Sequence, residues 1–300
     1  MEQHMGAGVR VVAPRRRGIR RRLAAYGLAA PGSLWLLAFF VVPLFYMASL
    51  SLQTGNLLDG FRQTWRFANF ADAMSLYHVQ FLRSLGYGAV ATLAILVVAY
   101  PLAYWIAFHG GRHKNTFLFL ILLPFLVSFV IRTLAWQFIL SDQGIVLGTL
   151  KDWHLLPQDY HVLATSTAVV AGIAYNYLPF MALPLYVALE RIDRNVVEAA
   201  RDLYSSNRSV FLHVILPLSV PGVFAGVLLT FVPAVGDFVN AAILGGPGNT
   251  MIGNIIQLKY LQDFEYPIAS ALSFILMIVL VIGIVLYARL LGTRQIEEYV

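Results

Sequence analysis

Six long apolar runs divide the chain, and shorter polar stretches separate them. A helix that spans a bilayer needs about 20 mainly apolar residues, because no backbone polar group can stay unpaired in hydrocarbon. The pattern therefore predicts an all-α membrane protein with six transmembrane helices. The predicted spans are Pro31–Leu52, Gly86–Phe108, Thr116–Leu140, Val162–Leu189, Val214–Gly236 and Ile268–Ala288.

The composition supports membrane insertion. Of the 300 residues, 59% are hydrophobic and 12% are charged, whereas soluble domains carry about 25% charged residues. The excess apolar surface must face lipid. The sequence contains no cysteine, which excludes a disulfide framework and a thiolate nucleophile or metal ligand.

Basic residues are concentrated at the start of the chain, in the runs Arg15-Arg16-Arg17 and Arg20-Arg21-Arg22. Such a segment directly before an apolar span is typical of a cytoplasmic flank held against anionic membrane lipid, so we expect no nucleic acid partner. The first span is longer than a signal-peptide core and serves as an anchor. We therefore expect residues 1–29 to form a basic cytoplasmic tail, residues 30–292 the membrane domain and residues 293–300 a second cytoplasmic tail.

A charged segment lies between the fourth and fifth predicted spans. Asn195 has the side chain of a helix cap, and Glu198 stands where a carboxylate can reach back to that cap. We predict a short helix here and a second one through Phe211, which Pro217 and Pro221 end. By itself, the pattern also fits a helix that lies on lipid headgroups.

Two packing faces can be predicted around this segment. Val196, Ala200 and Leu203 fall on one face of the first short helix, and the small Ala199-Ala200 pair allows a partner's surface to come close. In the fifth span, Gly222 and Gly226 have the spacing of a tight helix–helix contact.

The charged segment resembles the "EAA" motif of permease subunits in binding-protein-dependent ABC importers. The resemblance implies the type I ABC importer permease fold, with two coupling helices at about 194–212 that dock on a separate ATPase. With the N-terminus inside, 15 of the 21 basic residues face the cytoplasm, and the even number of spans then predicts that both termini are cytoplasmic. That family usually has glycine at the position of Tyr204, which moves the expected bend toward Asn207. The resemblance assigns ATPase docking to Glu198, Ala199, Ala200, Arg201, Asp202, Leu203, Phe211 and Pro217.

The same resemblance implies the location and the partners of the chain. They are the bacterial inner membrane, an ATPase subunit dimer, a second homologous permease and an extracytoplasmic substrate-binding protein. The sequence contains no GxxxxGK[ST] phosphate loop, so we expect a non-enzymatic chain with no cofactor, and ATP and Mg bound by the ATPase. His109 and His113 have helical ligand spacing but no nearby carboxylate or cysteine, so no metal site is expected.

Two ionisable residues stand inside or beside predicted spans, where they are costly and often functional. Arg132 fits either a structural role, by snorkelling or pairing, or a place on the substrate path. Asp237 follows Pro233 and Gly236, which loosen the helix and allow the carboxylate to lie in a water-filled cavity that attracts cations.

The segments around these two residues resemble the spermidine/putrescine, PotB-like branch of the permease family. The resemblance implies a polyamine permease, and aromatic rings suit cations through cation–π contacts, although they equally suit ordinary packing. The candidate path residues are Asp237, Trp136, Tyr175, Tyr177 and Arg132.

Two alternatives stay open at this point. Related branches carry other organic cations, ferric iron or oxyanions. An ion-coupled secondary transporter is a different class of protein, in which Asp237 or Arg132 would carry the coupling. The EAA-like segment and the lack of an inverted repeat favour the ABC permease.

Overall fold

A computed structural model of the chain describes residue 28 and residues 30–203 and 206–296, with side chains up to Arg289. The predicted basic tail falls almost wholly outside the described residues, as do Tyr204 and residues 297–300 of the predicted C-terminal tail. The chain divides into two units, residues 1–49 and residues 50–300.

Five helices of the described part are long and apolar enough to cross a membrane. They agree with the first, second, fourth, fifth and sixth predicted spans, although several begin earlier or end later. These helices are α1 (Ala30–Ser51), α2 (Ala68–His109), α6 (Ser166–Glu190), α8 (Asn207–Val235) and α11 (Tyr266–Ile296).

The third predicted span is broken. Helix α3 (Lys114–Leu122) continues into a 3-10 turn, and α4 (Phe129–Leu140) begins only after the chain has become extended. The two parts meet at 90°. Pro124 lies in the 3-10 turn and lacks the N–H that an α-helix needs there. The third predicted span is therefore two helices and not one continuous helix, and the bent pair counted as one span gives the six that the sequence predicts.

The segments that connect the spans are more ordered than the sequence pattern indicates. Each helix or strand in them is short, and the hydropathy signal of a span cannot reveal such elements. They are an antiparallel hairpin of β1 (Gln53–Asn56) and β2 (Gly60–Gln63), α5 (Ile145–Asp152), α7 (Arg194–Leu203), α9 (Val239–Leu244) and α10 (Ile252–Leu261).

Helix α6 packs against α2 and α8 at the centre of the second unit. The predicted close packing at Gly222 and Gly226 is confirmed. A Cβ atom built on Gly222 would lie 2.9 Å from the carbonyl oxygen of Pro184, and one on Gly226 would lie 2.6 Å from Sδ of Met181. Only glycine allows the two helix backbones to approach this closely.

The second predicted coupling helix is the start of α8, not a separate element. Phe211–Ile215 form a π-helical segment in which the N–H of Leu216 bonds to the carbonyl of Phe211, and the helix then continues to Val235. The prediction that Pro217 and Pro221 end a helix was therefore wrong, because both lie within α8. Pro217 stands two residues after the end of the π segment, where it is one of the first two residues of the regular helix, a position at which proline is tolerated.

Candidate functional site

A cavity of about 510 Å³ lies between the broken third span, α6 and the connection from α8 to α9. The extended residues Val127 and Ser128 line it, so the break in the third span forms part of its wall. Its aromatic lining consists of Phe125, Phe129, Tyr177, Phe180 and Phe238, and its further polar lining includes Arg132, Asn176 and Asp237.

Arg132 is turned into the protein and does not snorkel. Arg132 is only 7% exposed, and its guanidinium carbon lies 5.2 Å from the ring centroid of Phe125 and 5.7 Å from that of Phe129. Both rings can stabilise a desolvated cation. The Nε atom has no hydrogen-bond partner among the described residues. Arg132 thus brings a buried positive charge with a free donor to the wall of the cavity.

Asp237 brings the opposite charge to the same cavity. Helix α8 ends at Val235, and the next turn places the Asp237 carboxylate at the start of α9. The backbone N–H of Asn240 donates to Oδ1 over 2.9 Å, and the Asn240 amide donates to Oδ2 over 2.6 Å. Tyr177 lines the same cavity as this carboxylate. Asp237 therefore binds a backbone N–H in the first turn of α9 and also lines the cavity.

A chain of buried side-chain hydrogen bonds extends from Asp237 into the span bundle. The Asn240 Oδ1 atom accepts from Asn176 Nδ2 over 3.1 Å and from the Thr133 hydroxyl over 3.3 Å, and Asn176 Nδ2 also donates to Thr133 over 3.1 Å. These bonds connect α4, α6 and α9. Sequence reasoning missed all three residues because it searched for charges, although an amide in an apolar span is itself a signal of a polar contact between helices.

Trp136 and Tyr175 do not line this cavity. Their rings pack against each other, with centroids 5.3 Å apart and an interplanar angle of 67°. Of the five predicted path residues, the structure therefore brings Arg132, Tyr177 and Asp237 together and leaves Trp136 and Tyr175 as an adjacent aromatic pair.

Helix α7 contains the predicted docking motif, but its cap differs from the prediction. The Asp193 carboxylate accepts from the backbone N–H of Asn195 over 2.9 Å, and the helix begins at Arg194. The predicted capping box of Asn195 and Glu198 was therefore wrong, because the helix starts two residues earlier than that box requires. Glu198 is exposed instead.

The faces of α7 also differ from the prediction. Val197 and Ala200 are buried in a core cluster of the chain itself, whereas Val196 and Leu203 are exposed, Leu203 to 83%. The small side chain of Ala200 thus serves internal packing. The remaining motif residues of this helix, Glu198, Ala199, Arg201 and Asp202, are exposed with Leu203.

The two motif residues on α8 have different surroundings. Phe211 is half-buried and packs edge to face on Tyr100 and Tyr104, with ring centroids 5.8 Å and 5.9 Å apart. It therefore holds the start of α8 against α2. Pro217 is exposed. Nowhere in the described ranges do three or more His, Asp or Glu side chains form a group that could hold a metal ion.

Residues 99–294 match the family model of the binding-protein-dependent transport system inner membrane component. This range covers about two thirds of the chain and includes both the cavity and α7. The chain belongs to this family. It is the permease subunit of an ABC importer in the inner membrane, and the secondary-transporter alternative is thereby set aside.

Curated relatives extend the match of this binding-protein-dependent permease beyond the family model. The spermidine/putrescine transport system permease protein PotB of Escherichia coli K12 is 33% identical over 256 residues, which are 85% of this chain and 93% of that protein. PotB of Haemophilus influenzae is 33% identical over 266 residues, 88% of this chain and 93% of that protein.

A solved structure supports the permease fold. A chain of a bacterial ABC transporter involved in the import of the acidic polysaccharide alginate superposes with a TM-score of 0.70, at 17% identity, over 92% of this permease and 98% of that chain. The predicted type I ABC importer permease fold is therefore confirmed.

Proposed function

We propose that this permease forms one half of the translocation path of a polyamine importer. In this proposal, residues 30–292 span the membrane, residues 1–29 and 293–300 lie in the cytoplasm, and the 510 Å³ cavity is a station on the path. Its partners are a second homologous permease, a dimer of ATPase subunits that bind ATP and Mg, and an extracytoplasmic substrate-binding protein.

The observation that carries this proposal is the buried carboxylate of Asp237 on the cavity wall. A polyamine presents ammonium groups, which have only donors, and a carboxylate has only acceptors. Aromatic rings around the carboxylate add faces that attract cations after water is removed. The names of the PotB relatives support the same class of solute.

A second candidate solute is favoured by Arg132. Its buried guanidinium lines the same cavity and has an unpartnered Nε among the described residues, which suits an oxyanion or another acid. Because the cavity contains one negative and one positive side chain, charge alone does not decide between a polyamine and an oxyanion. Transport measurements must therefore separate them.

Uptake by the assembled transporter in proteoliposomes tests the proposal. We expect the wild-type complex to accumulate spermidine or putrescine, and Asp237→Asn to lower the initial rate at least about tenfold, as the loss of one charged hydrogen bond would. The matched control is Asp59→Asn, because Asp59 is an exposed carboxylate in the turn between β1 and β2, distant in sequence from the cavity residues.

Three outcomes of this experiment are informative. Loss of uptake in Asp237→Asn alone supports the path. Equal uptake by wild type and Asp237→Asn would leave Asp237 with a structural role only, in the first turn of α9. Uptake of molybdate or sulfate, but of neither polyamine, would replace the polyamine with the oxyanion as the solute.

We also propose that the exposed face of α7 docks on the ATPase. Leu203 is an exposed apolar side chain beside the charged residues Glu198, Arg201 and Asp202, a combination suited to a helix in a partner's groove. Ala200 and Phe211 face inward and fix the orientation of this surface.

A further inference from the structure

The hydrogen bonds of the buried Asn240 and Asn176 side chains fix the orientation of both amide groups. The Asp237 carboxylate accepts from the Asn240 backbone N–H through Oδ1 and from the Asn240 side-chain amide through Oδ2, so this amide turns its nitrogen toward Asp237 and its oxygen away. That oxygen accepts from Nδ2 of Asn176. Each amide group therefore fixes the orientation of the next, and the Oδ1 atom of Asn176 stands at the far end of the chain.

This terminal oxygen is unsatisfied and belongs to a residue that lines the cavity. Asn176 is fully buried, and no described residue donates to its Oδ1 atom. A buried acceptor without a donor is costly, and such groups in native proteins commonly mark a binding function or an unseen water. The Thr133 hydroxyl belongs to the same network but does not line the cavity.

We propose that Asn176 determines specificity by supplying a second acceptor, beside Asp237, for a primary ammonium group in the cavity. The inference rests on the proposed polyamine transport. An ammonium group has three donors, so it can bond to the carboxylate and to the amide oxygen at once, whereas a group with fewer N–H donors cannot fill both positions equally well. The polarised amides between the two acceptors strengthen the second position, because each hydrogen bond in such a chain reinforces the next.

Arg132 limits how tightly an ammonium group binds here. It carries a positive charge on the same cavity wall, where it lies over two phenylalanine rings. A transport path needs sites that solutes can both enter and leave, and a like charge nearby weakens retention. The two acceptors attract the ammonium group and the Arg132 cation repels it, so the solute occupies this site only transiently.

Substitutions at Asn176 separate a binding role from a structural one. Asn176→Leu removes the amide oxygen and the donor to the network, whereas Asn176→Asp removes the donor, keeps an acceptor of the same size and adds a negative charge that also attracts an ammonium group. We expect spermidine uptake by the assembled transporter to fall about tenfold in Asn176→Leu, the effect of one charge-assisted hydrogen bond. We expect Asn176→Asp to keep uptake within about twofold of wild type, and ATP hydrolysis stimulated by the loaded binding protein to persist in both variants.

The matched control is Thr133→Val, which removes network hydrogen bonds without removing a group from the cavity wall. Uptake that is lost in Asn176→Leu and kept in Asn176→Asp and Thr133→Val supports the inference. Equal loss in all three variants, or failure of Asn176→Asp to assemble, assigns Asn176 to the structural network and overturns it. A wild-type complex that transports neither polyamine refutes the proposed function itself, which is a separate result.

Discussion

The contact between α6 and α8 gives a quantitative prediction at Gly222. A methyl group at this position would lie 2.5 Å from the Cβ atom of Ala188 and 2.9 Å from the carbonyl oxygen of Pro184. The second contact is with backbone, so it can relax only if α6 itself moves. We therefore predict that Gly222→Ala overpacks the interface between these helices.

The magnitude follows from a comparison with another helical glycine. Among the described residues, no heavy atom apart from the adjacent backbone of the same helix lies within 4 Å of a Cβ atom built on Gly283, which is on α11. Alanine in place of glycine favours the helix by about 1 kcal/mol in both cases. Overpacking adds a cost of about 1–3 kcal/mol only at Gly222. The two variants should therefore differ in stability by about 1–3 kcal/mol, with Gly222→Ala the less stable.

Thermal unfolding of the purified permease in one detergent, at one heating rate, measures this difference. About 2–4 °C of midpoint shift per kcal/mol is typical of domains of 150–250 residues, so we expect Gly222→Ala to unfold several degrees below Gly283→Ala. Comparison at one heating rate is required because membrane proteins often unfold irreversibly. Equal midpoints would show that α6 and α8 can separate without cost, and would refute the packing argument.

Two further predictions concern surfaces outside the cavity. Leu203→Asp and Glu198→Lys should leave the permease inserted but lower its co-purification with the ATPase, and normal assembly of both variants would remove α7 from the docking surface. Lys259 pairs with Asp263 over 2.9 Å and with Glu265 over 3.1 Å, and these hydrogen bonds raise the pKa of Lys259. The stabilisation relative to Lys259→Met should therefore be constant from pH 7 to about pH 10, near the ordinary lysine pKa, and should decline at higher pH. Thermal midpoints of both proteins across pH 7–11 check this, and a difference that vanishes near neutral pH would contradict it.

The sequence predicts the long elements of this fold because their cause is local. Five apolar runs form helices close to the predicted spans, since each satisfies its backbone within one segment in lipid. The break near Pro124 was missed because the hydropathy of the run is continuous across it. A proline can end a helix, bend it or leave it intact, and the outcome depends on the neighbouring residues. At Pro217, which follows a π segment, the helix continues.

The candidate site, too, could be predicted only in part from the sequence. Arg132 and Asp237 could be selected from the sequence because a charge inside a span is rare. Their partners could not, because the contact of Asn176 with Asn240 joins residues far apart in the chain and depends on how α9 folds back. The orientation of α7 was missed for a related reason: Val197 and Ala200, not Val196, meet the core formed by other helices.

The break in the third span has a consequence for the membrane as an electrical insulator. Extended backbone at Val127 and Ser128 lies on the cavity wall, and such backbone is tolerated at membrane depth only where protein or water covers it. In the proposed importer, the second permease supplies part of that cover. A copy of this chain without its partner would let water reach into the bilayer at the break, which lowers the barrier to ion leakage. Balanced synthesis of the two permeases would therefore protect the proton gradient of the cell, a demand on expression that follows from a few residues of non-helical backbone.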